Sequence, residues 1–189
     1  LGITQVQLLA RLQVRGVDIS GTSLSLLEGQ KADLLLTFIP HGAQRPELTG
    51  GLFEAAHALK GGASFYLWHD ESDSLDVRGA CVDVGLQLRQ CLIWDSEGGA
   101  PLCEDGYAPA HIPCLYGWAD GAPHLWTSDR RQSTVIAMEP PPDARSLPVA
   151  LMAYCMENNT RGMDVVLDPC SQRGTAIVAA EQAGRIARA

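Results

Sequence analysis

No stretch of this chain is apolar enough to cross a bilayer as a helix: the longest apolar runs, such as residues 32–40 and 149–154, fall far short of the roughly 20 residues required. Residues 1–14 have an apolar rhythm, but Gln5, Gln7 and Arg11 break it and no cleavage site follows. They therefore do not read as a signal peptide, and the expected compartment is the cytosol. Cysteine pairs of the CxxC kind are also missing. The six cysteines at 81, 91, 103, 114, 155 and 170 are scattered, mostly within apolar runs, where a free thiol packs as a small hydrophobe. His57, His69, His111 and His124 show no zinc-ligand spacing with them, so no metal site is expected. A Gly-x-x-x-x-Gly-Lys-Ser/Thr loop is absent as well, which leaves nucleotide hydrolysis without support. Positive charge is scarce: the net charge of −8 opposes nonspecific binding to a polyanion, because phosphate neutralisation supplies most of that affinity. Any contact with nucleic acid must be local, and the candidate is Arg130 with Arg131.

What remains is globular composition, 46% hydrophobic and 19% charged over 189 residues, enough for one domain with a substantial core. Four short apolar runs with turn-rich flanks read as buried strands: residues 32–37, 63–68, 90–94 and 164–167. Between them, residues 51–60, 74–84, 148–158 and 175–183 repeat apolar residues at three- and four-residue steps, as helices do. Alternating strands and helices predict a doubly wound α/β domain with a parallel sheet. Residues 96–109 and 139–146 are rich in turn-forming and acidic residues with no clear period and read as loops. The run Pro140 to Pro142 is stiff and cannot continue a helix, so the second loop reads as a linker.

Residues 1–30 admit two readings. Gly2-Ile-Thr-Gln-Val-Gln-Leu-Leu-Ala-Arg-Leu12 followed by Ser20-Gly-Thr-Ser-Leu-Ser-Leu-Leu-Glu-Gly29 resembles the two helices of a phage-repressor helix-turn-helix. Such a module would touch DNA near Thr22 to Ser25, although the segment around residues 14–19 is long for that turn. The plain alternative is a helix and a Gly-containing turn leading into the first strand.

From about Lys31 onward, seven phrases occur in a telling order: Ala32-Asp-Leu-Leu-Leu-Thr37, Phe65-Tyr-Leu-Trp-His-Asp70, Gln90-Cys-Leu-Ile-Trp94, Pro113-Cys-Leu-Tyr-Gly-Trp118, His124-Leu-Trp126, Asp129-Arg-Arg-Gln-Ser-Thr-Val135 and Gly162-Met-Asp-Val-Val-Leu-Asp-Pro169. In that order they resemble the β-type DNA amino-methyltransferases, which act on the exocyclic amine of adenine (N6) or cytosine (N4). The resemblance implies a mostly parallel sheet of the adenosylmethionine-dependent methyltransferase type over residues 31–189, with a loop-rich insert at 95–147. It also implies S-adenosylmethionine as cofactor and DNA as partner.

In that family an Asp-Pro-Pro-Tyr loop holds the flipped base and its amine, which needs an aromatic face, a carboxylate and a backbone carbonyl. The corresponding residues here are Phe38, Ile39, Pro40 and His41. Phe38 cannot accept the hydrogen bond that a carboxylate would, which predicts a severe loss of activity. His41 keeps a flat ring at the aromatic position. The family's cofactor loop, Asp-Pro-Phe-x-Gly-Ser-Gly-Thr, appears as Asp168-Pro169-Cys170-Ser171-Gln172-Arg173-Gly174-Thr175. Asp168, Pro169, Gly174 and Thr175 match. Gln172 and Arg173 bring large side chains where the family has Gly and Ser, the more costly if the first position needs a positive φ. The family's His-Glu-Pro appears as His111-Ile112-Pro113, and its Pro-Thr-Met-Lys-Pro segment as residues 144–148, without the Glu and Lys.

These substitutions fall on polar and glycine positions while the apolar frame is kept. The expectation is a DNA methyltransferase-like protein, of a kind found in restriction-modification, with impaired or lost catalysis. A non-catalytic DNA-binding or regulatory module working through residues 1–30 is the alternative. The sequence ends soon after the cofactor-loop helix, which predicts a sheet incomplete at the C-terminus, with an edge that a second copy would complete as a homo-oligomer.

Overall fold

The computed structural model describes residues 31–96, 106–107, 110–141 and 146–189, and the repressor-like reading of residues 1–30 lies outside them. The chain runs β1 (Ala32–Phe38), α1 (Arg45–His57), β2 (Leu59–Trp68), a 3-10 turn (Glu71–Asp73), α2 (Ser74–Asp83), β3 (Gln87–Asp95), β4 (His111–Trp118), β5 (Val135–Ala137), α3 (Val149–Asn159), β6 (Val165–Leu167), α4 (Thr175–Gln182) and β7 (Ile186–Arg188). The seven strands form one sheet in the order β5-β3-β4-β2-β1-β6-β7. Six point the same way. β4 runs against both of its neighbours, β2 and β3.

Both faces of the sheet are covered, which is why its central strands carry consecutive apolar residues, Leu34 to Leu36 in β1 and Phe65 to Trp68 in β2, rather than alternating ones. Leu34, Leu36, Tyr66 and Trp68 face α3 and α4, packing on Leu151, Met152, Cys155, Ala176 and Ala180. Their neighbours Leu35, Phe65 and Leu67 face α1 and α2, packing on Leu48, Leu52, Val77 and Cys81. Across the β2–β4 pair, Phe65 lies opposite Gly117. A Cβ on Gly117 would stand 2.5 Å from the Phe65 ring and 2.2 Å from the Gln87 carbonyl, so the absent side chain is what lets the aromatic ring lie on the sheet. Burial pushes the Cys81 thiol up to about 12 and drives the Cys155 and Cys114 thiols far above their ordinary range.

The mostly parallel, doubly wound sheet agrees with expectation; a uniformly parallel one does not. β4 and β5 arise inside the region read as a loop-rich insert, and β7 follows α4. Gly117 and Pro113 masked the eight-residue β4, and three-residue strands such as β5 and β7 are too short to show periodicity. The first helix begins at Arg45, six residues earlier than its apolar period suggests. Pro46 fits its first turn, and burial of Leu48, Leu52 and Ala55 carries it through Gly50 and Gly51. No helix among the described residues is long and apolar enough to cross a membrane.

Candidate functional site

β1 and β6 lie side by side and parallel, yet the chain leaves them in opposite directions. From β1 it passes through α1 to β2 on one side, and from β6 through α4 to β7 on the other. The helices that follow cover opposite faces. Such a divergence leaves a crevice beyond the carboxyl ends of the two strands, where open α/β sheets take their ligands. A cleft opens there, lined by Thr37 and Phe38 from the end of β1, Leu147 and Met152 beside the start of α3, and Asp168, Cys170 and Gln172 from the loop after β6, with Thr175 at the start of α4.

A buried carboxyl sits at its floor. The Thr37 hydroxyl donates to Asp168 Oδ1 at 2.6 Å, tying β1 to the end of β6, and the Cys170 backbone N–H donates to the same oxygen at 3.3 Å. Burial disfavours the charged form and pushes the Asp168 carboxyl up to about 6, against the pull of those two donors. Burial and the neighbouring carboxylate also push the Cys170 thiol up to about 12. Asp168 and the Phe38 carbonyl bring acceptors to the cleft, while Ser171, Arg173 and Thr175 of the same lining bring donors.

The loop after β6 turns across the opening. Gln172 holds a left-handed backbone, with φ of 34°, at the position where glycine is the ordinary choice, and its Nε2 donates to the Phe38 carbonyl at 3.1 Å. Gly174, with φ of 71°, then caps α4. The positive φ foreseen for the first glycine position is therefore present, carried by a glutamine. With the side chain in place the cleft, open to solvent on one side, has a volume of about 30 Å³, room for about two waters.

Of the four residues aligned with the family's base-holding loop, Phe38 alone lines the cleft. Ile39 turns into the opposite core, against the α1 side of the sheet. Pro40 is half-buried, and His41 is exposed with Nδ1 3.0 Å from Asp73 Oδ2, which also accepts from the Gly42 N–H at 3.1 Å. The loop is thus fastened toward the turn after β2. Asp168 and Thr175 reach the cleft; Gly174 shapes it through the cap, and Pro169 is half-buried beside it. Arg130 and Arg131 are exposed in a turn held elsewhere. Thr127, just before them, bonds the carbonyls of Glu157 and Asn158 at the far end of α3 from the cleft. Among the described residues no three His, Cys, Asp or Glu side chains converge as metal ligands would.

Sequence reasoning gave no role to Thr37, Cys170, Leu147 or Asp73. Thr37 had a usable signal, a hydroxyl closing an apolar strand. For Leu147 and Asp73 nothing local distinguishes them, because their roles arise from tertiary placement.

No protein-family model matches the sequence, and no curated protein matches it. Solved structures do. M1.HpyAVI in its SAM complex superposes with a TM-score of 0.68 at 14% identity, covering 87% of this chain and 86% of that one. TTHA0409 of Thermus thermophilus, complexed with S-adenosyl-L-methionine, gives 0.68 at 18% identity, over 87% of this chain and 83% of its own. The cytosine-N4-specific PvuII DNA methyltransferase gives 0.67 at 16%, over 87% and 77%. The chain has the fold of these DNA methyltransferases.

Proposed function

We propose that this chain is a DNA amino-methyltransferase-like protein, of the N6-adenine or N4-cytosine kind, in which catalysis is impaired or lost. One observation carries the reading. The two strand ends that form the cleft, at Thr37-Phe38 and Asp168, are the ones whose phrases resemble the family's base-holding and cofactor loops. Each bears a substitution that opposes the chemistry. At the first, Phe38 supplies no carboxylate, so an amine brought to it would keep one N–H unpaired, at a cost of about 1–3 kcal/mol before any chemistry. At the second, Gln172 fills the space that glycine would leave. Fold alone does not imply activity, and these residues argue against it.

S-adenosylmethionine is the cofactor that the resemblance implies. Asp168 suits a ligand carrying an ammonium group, but the Gln172 side chain crosses the cleft to the Phe38 carbonyl and Arg173 adds a cation to the lining, against a ligand that already carries a sulfonium charge. The residues as they stand do not fit it. DNA is the proposed partner, and Arg130 with Arg131 the proposed contact, a flanking one to phosphate rather than part of the cleft. Replacing both with alanine is expected to weaken DNA binding evenly across sequences and lower its salt slope by about 2.

The test is calorimetric titration of the protein with S-adenosylmethionine, followed by methyl-transfer assays on adenine- and cytosine-containing duplexes. The expected result is no measurable turnover on either. Multiple turnovers by the unaltered chain would sink the reading of lost catalysis and return Phe38 and Gln172 to the list of tolerated substitutions.

A further inference from the structure

Among the described residues, two that are not glycine hold a positive φ, Met163 at 68° and Gln172 at 34°. Met163 sits in an exposed turn before β6, with its backbone N–H bonded to the Gly184 carbonyl. Gln172 is different, because its side chain reaches across the cleft to the end of a strand 134 residues away in sequence. The left-handed backbone costs free energy in an L-residue, and here it aims an amide at the Phe38 carbonyl.

Gln172 and Phe38 both line the opening. Behind them the Thr37 hydroxyl is already committed to Asp168, which leaves the Phe38 carbonyl as an acceptor at the opening, beside Ser171, Arg173 and Thr175 of the same lining. The Gln172 side chain ends in a planar NH₂ on an sp² carbon, the donor such an acceptor would select. The contact is exposed to solvent, so water competes for both partners and the bond is weak enough to break thermally. We infer that Gln172 is a built-in plug: its amide occupies the Phe38 carbonyl in place of an incoming amine and keeps the cleft closed until the side chain swings out. The plug itself is independent of the methyltransferase reading; only the identification of S-adenosylmethionine as a ligand admitted on opening rests on that reading.

Cys170, which lines the same cleft, reports its opening. Alkylation by N-ethylmaleimide at pH 8, resolved by peptide mass spectrometry, is compared in the unaltered chain, Gln172→Met and Gln172→Gly, with half-buried Cys91 on β3 as internal reference. Gln172→Met keeps the size and the neutral charge and loses the donor, whereas Gln172→Gly also relieves the backbone and is expected to fold at least as well. Both should speed Cys170 alkylation about fivefold, the change one solvent-exposed hydrogen bond can hold back, with Cys91 unchanged. A Cys170 rate equal to the unaltered chain's in both variants overturns the plug. Titration with S-adenosylmethionine separates the two ideas. Binding gained in Gln172→Gly supports plug and cofactor together, and faster alkylation without binding keeps the plug while removing that cofactor. Measurable binding of equal strength by the unaltered chain and Gln172→Gly overturns the plug.

Discussion

Two buried polar groups of bonds sit at opposite ends of α3, and they are built on opposite principles. At the C-terminal end, the Tyr66 hydroxyl donates to Asn159 Oδ1 at 2.5 Å, while Asn159 Nδ2 donates to the Leu125 carbonyl at 2.6 Å and to the Tyr116 hydroxyl at 3.3 Å. The two tyrosine rings pack 4.8 Å apart. Burial holds the Tyr66 and Tyr116 hydroxyls above their usual range, so every member stays neutral. At the N-terminal end, Thr37 and Asp168 place an ionisable carboxyl beside an opening. The first arrangement is satisfied and silent to pH, and it pins a helix to a sheet. The second holds a charge at a disadvantage, which is how binding sites differ from scaffolding.

Removing the centre of the satisfied group gives the largest expected effect. Asn159→Leu removes the acceptor of the Tyr66 hydroxyl and the donor to the Tyr116 hydroxyl and the half-buried Leu125 carbonyl, a loss on the order of 4 kcal/mol at about 1–3 kcal/mol per group. It is read from the urea midpoint at unchanged slope, and the loss should be the same at pH 5 and pH 8. A pH-dependent loss would break the contrast between the two ends.

Asp168→Asn should act in the other direction. The folded carboxyl titrates near 6 against an ordinary 3.8, so the folded state binds the extra proton between those values. The stability this proton confers is complete below about pH 4 and is lost as pH rises through 6. Asparagine can still accept from Thr37 and Cys170 while carrying no charge. The variant should therefore match the unaltered chain near pH 4 and exceed it by about 3 kcal/mol at pH 8, since each tenfold change in proton affinity is worth about 1.4 kcal/mol. Equal thermal midpoints at pH 8 would show that the carboxyl is solvated after all.

Thr37→Val probes the same carboxyl from its donor. Losing a hydrogen bond to a charged acceptor should cost about 2 kcal/mol at pH 8, and to a neutral one about 1 kcal/mol near pH 4. The measurement is again the pair of unfolding midpoints, and a loss that grows toward low pH would contradict the assignment.

The frame was far more legible in the sequence than the cleft. β1 and β2 carry unbroken apolar runs at 34–36 and 65–68 because both faces are covered, and such runs announce themselves. β4 did not, since it carries Pro113 and Gly117 and its antiparallel direction depends on pairing with two strands distant in sequence. At the site, Asp168 and the cofactor-like loop were visible as a phrase. The partnership of Gln172 with Phe38 spans 134 residues and leaves no local trace. His41 keeps a flat ring at the family's aromatic position, and its contact with Asp73, placed by the turn after β2, has no local signal.

The smallest expected effect falls on that unforeseen contact. Gln172→Gly removes one exposed hydrogen bond and simultaneously relieves a left-handed backbone, worth roughly 1 kcal/mol to an L-residue. Glycine also widens the unfolded ensemble, which takes back part of the gain. The net change should be a stabilisation of at most about 0.5 kcal/mol, independent of pH because neither partner titrates. Gln172→Ala keeps the strained backbone without the bond and should instead lose about 0.5 kcal/mol. Opposite signs from two substitutions at one exposed position would separate backbone strain from the side-chain contact. Equal losses in both would mean that the backbone there bears no strain and the bond alone matters.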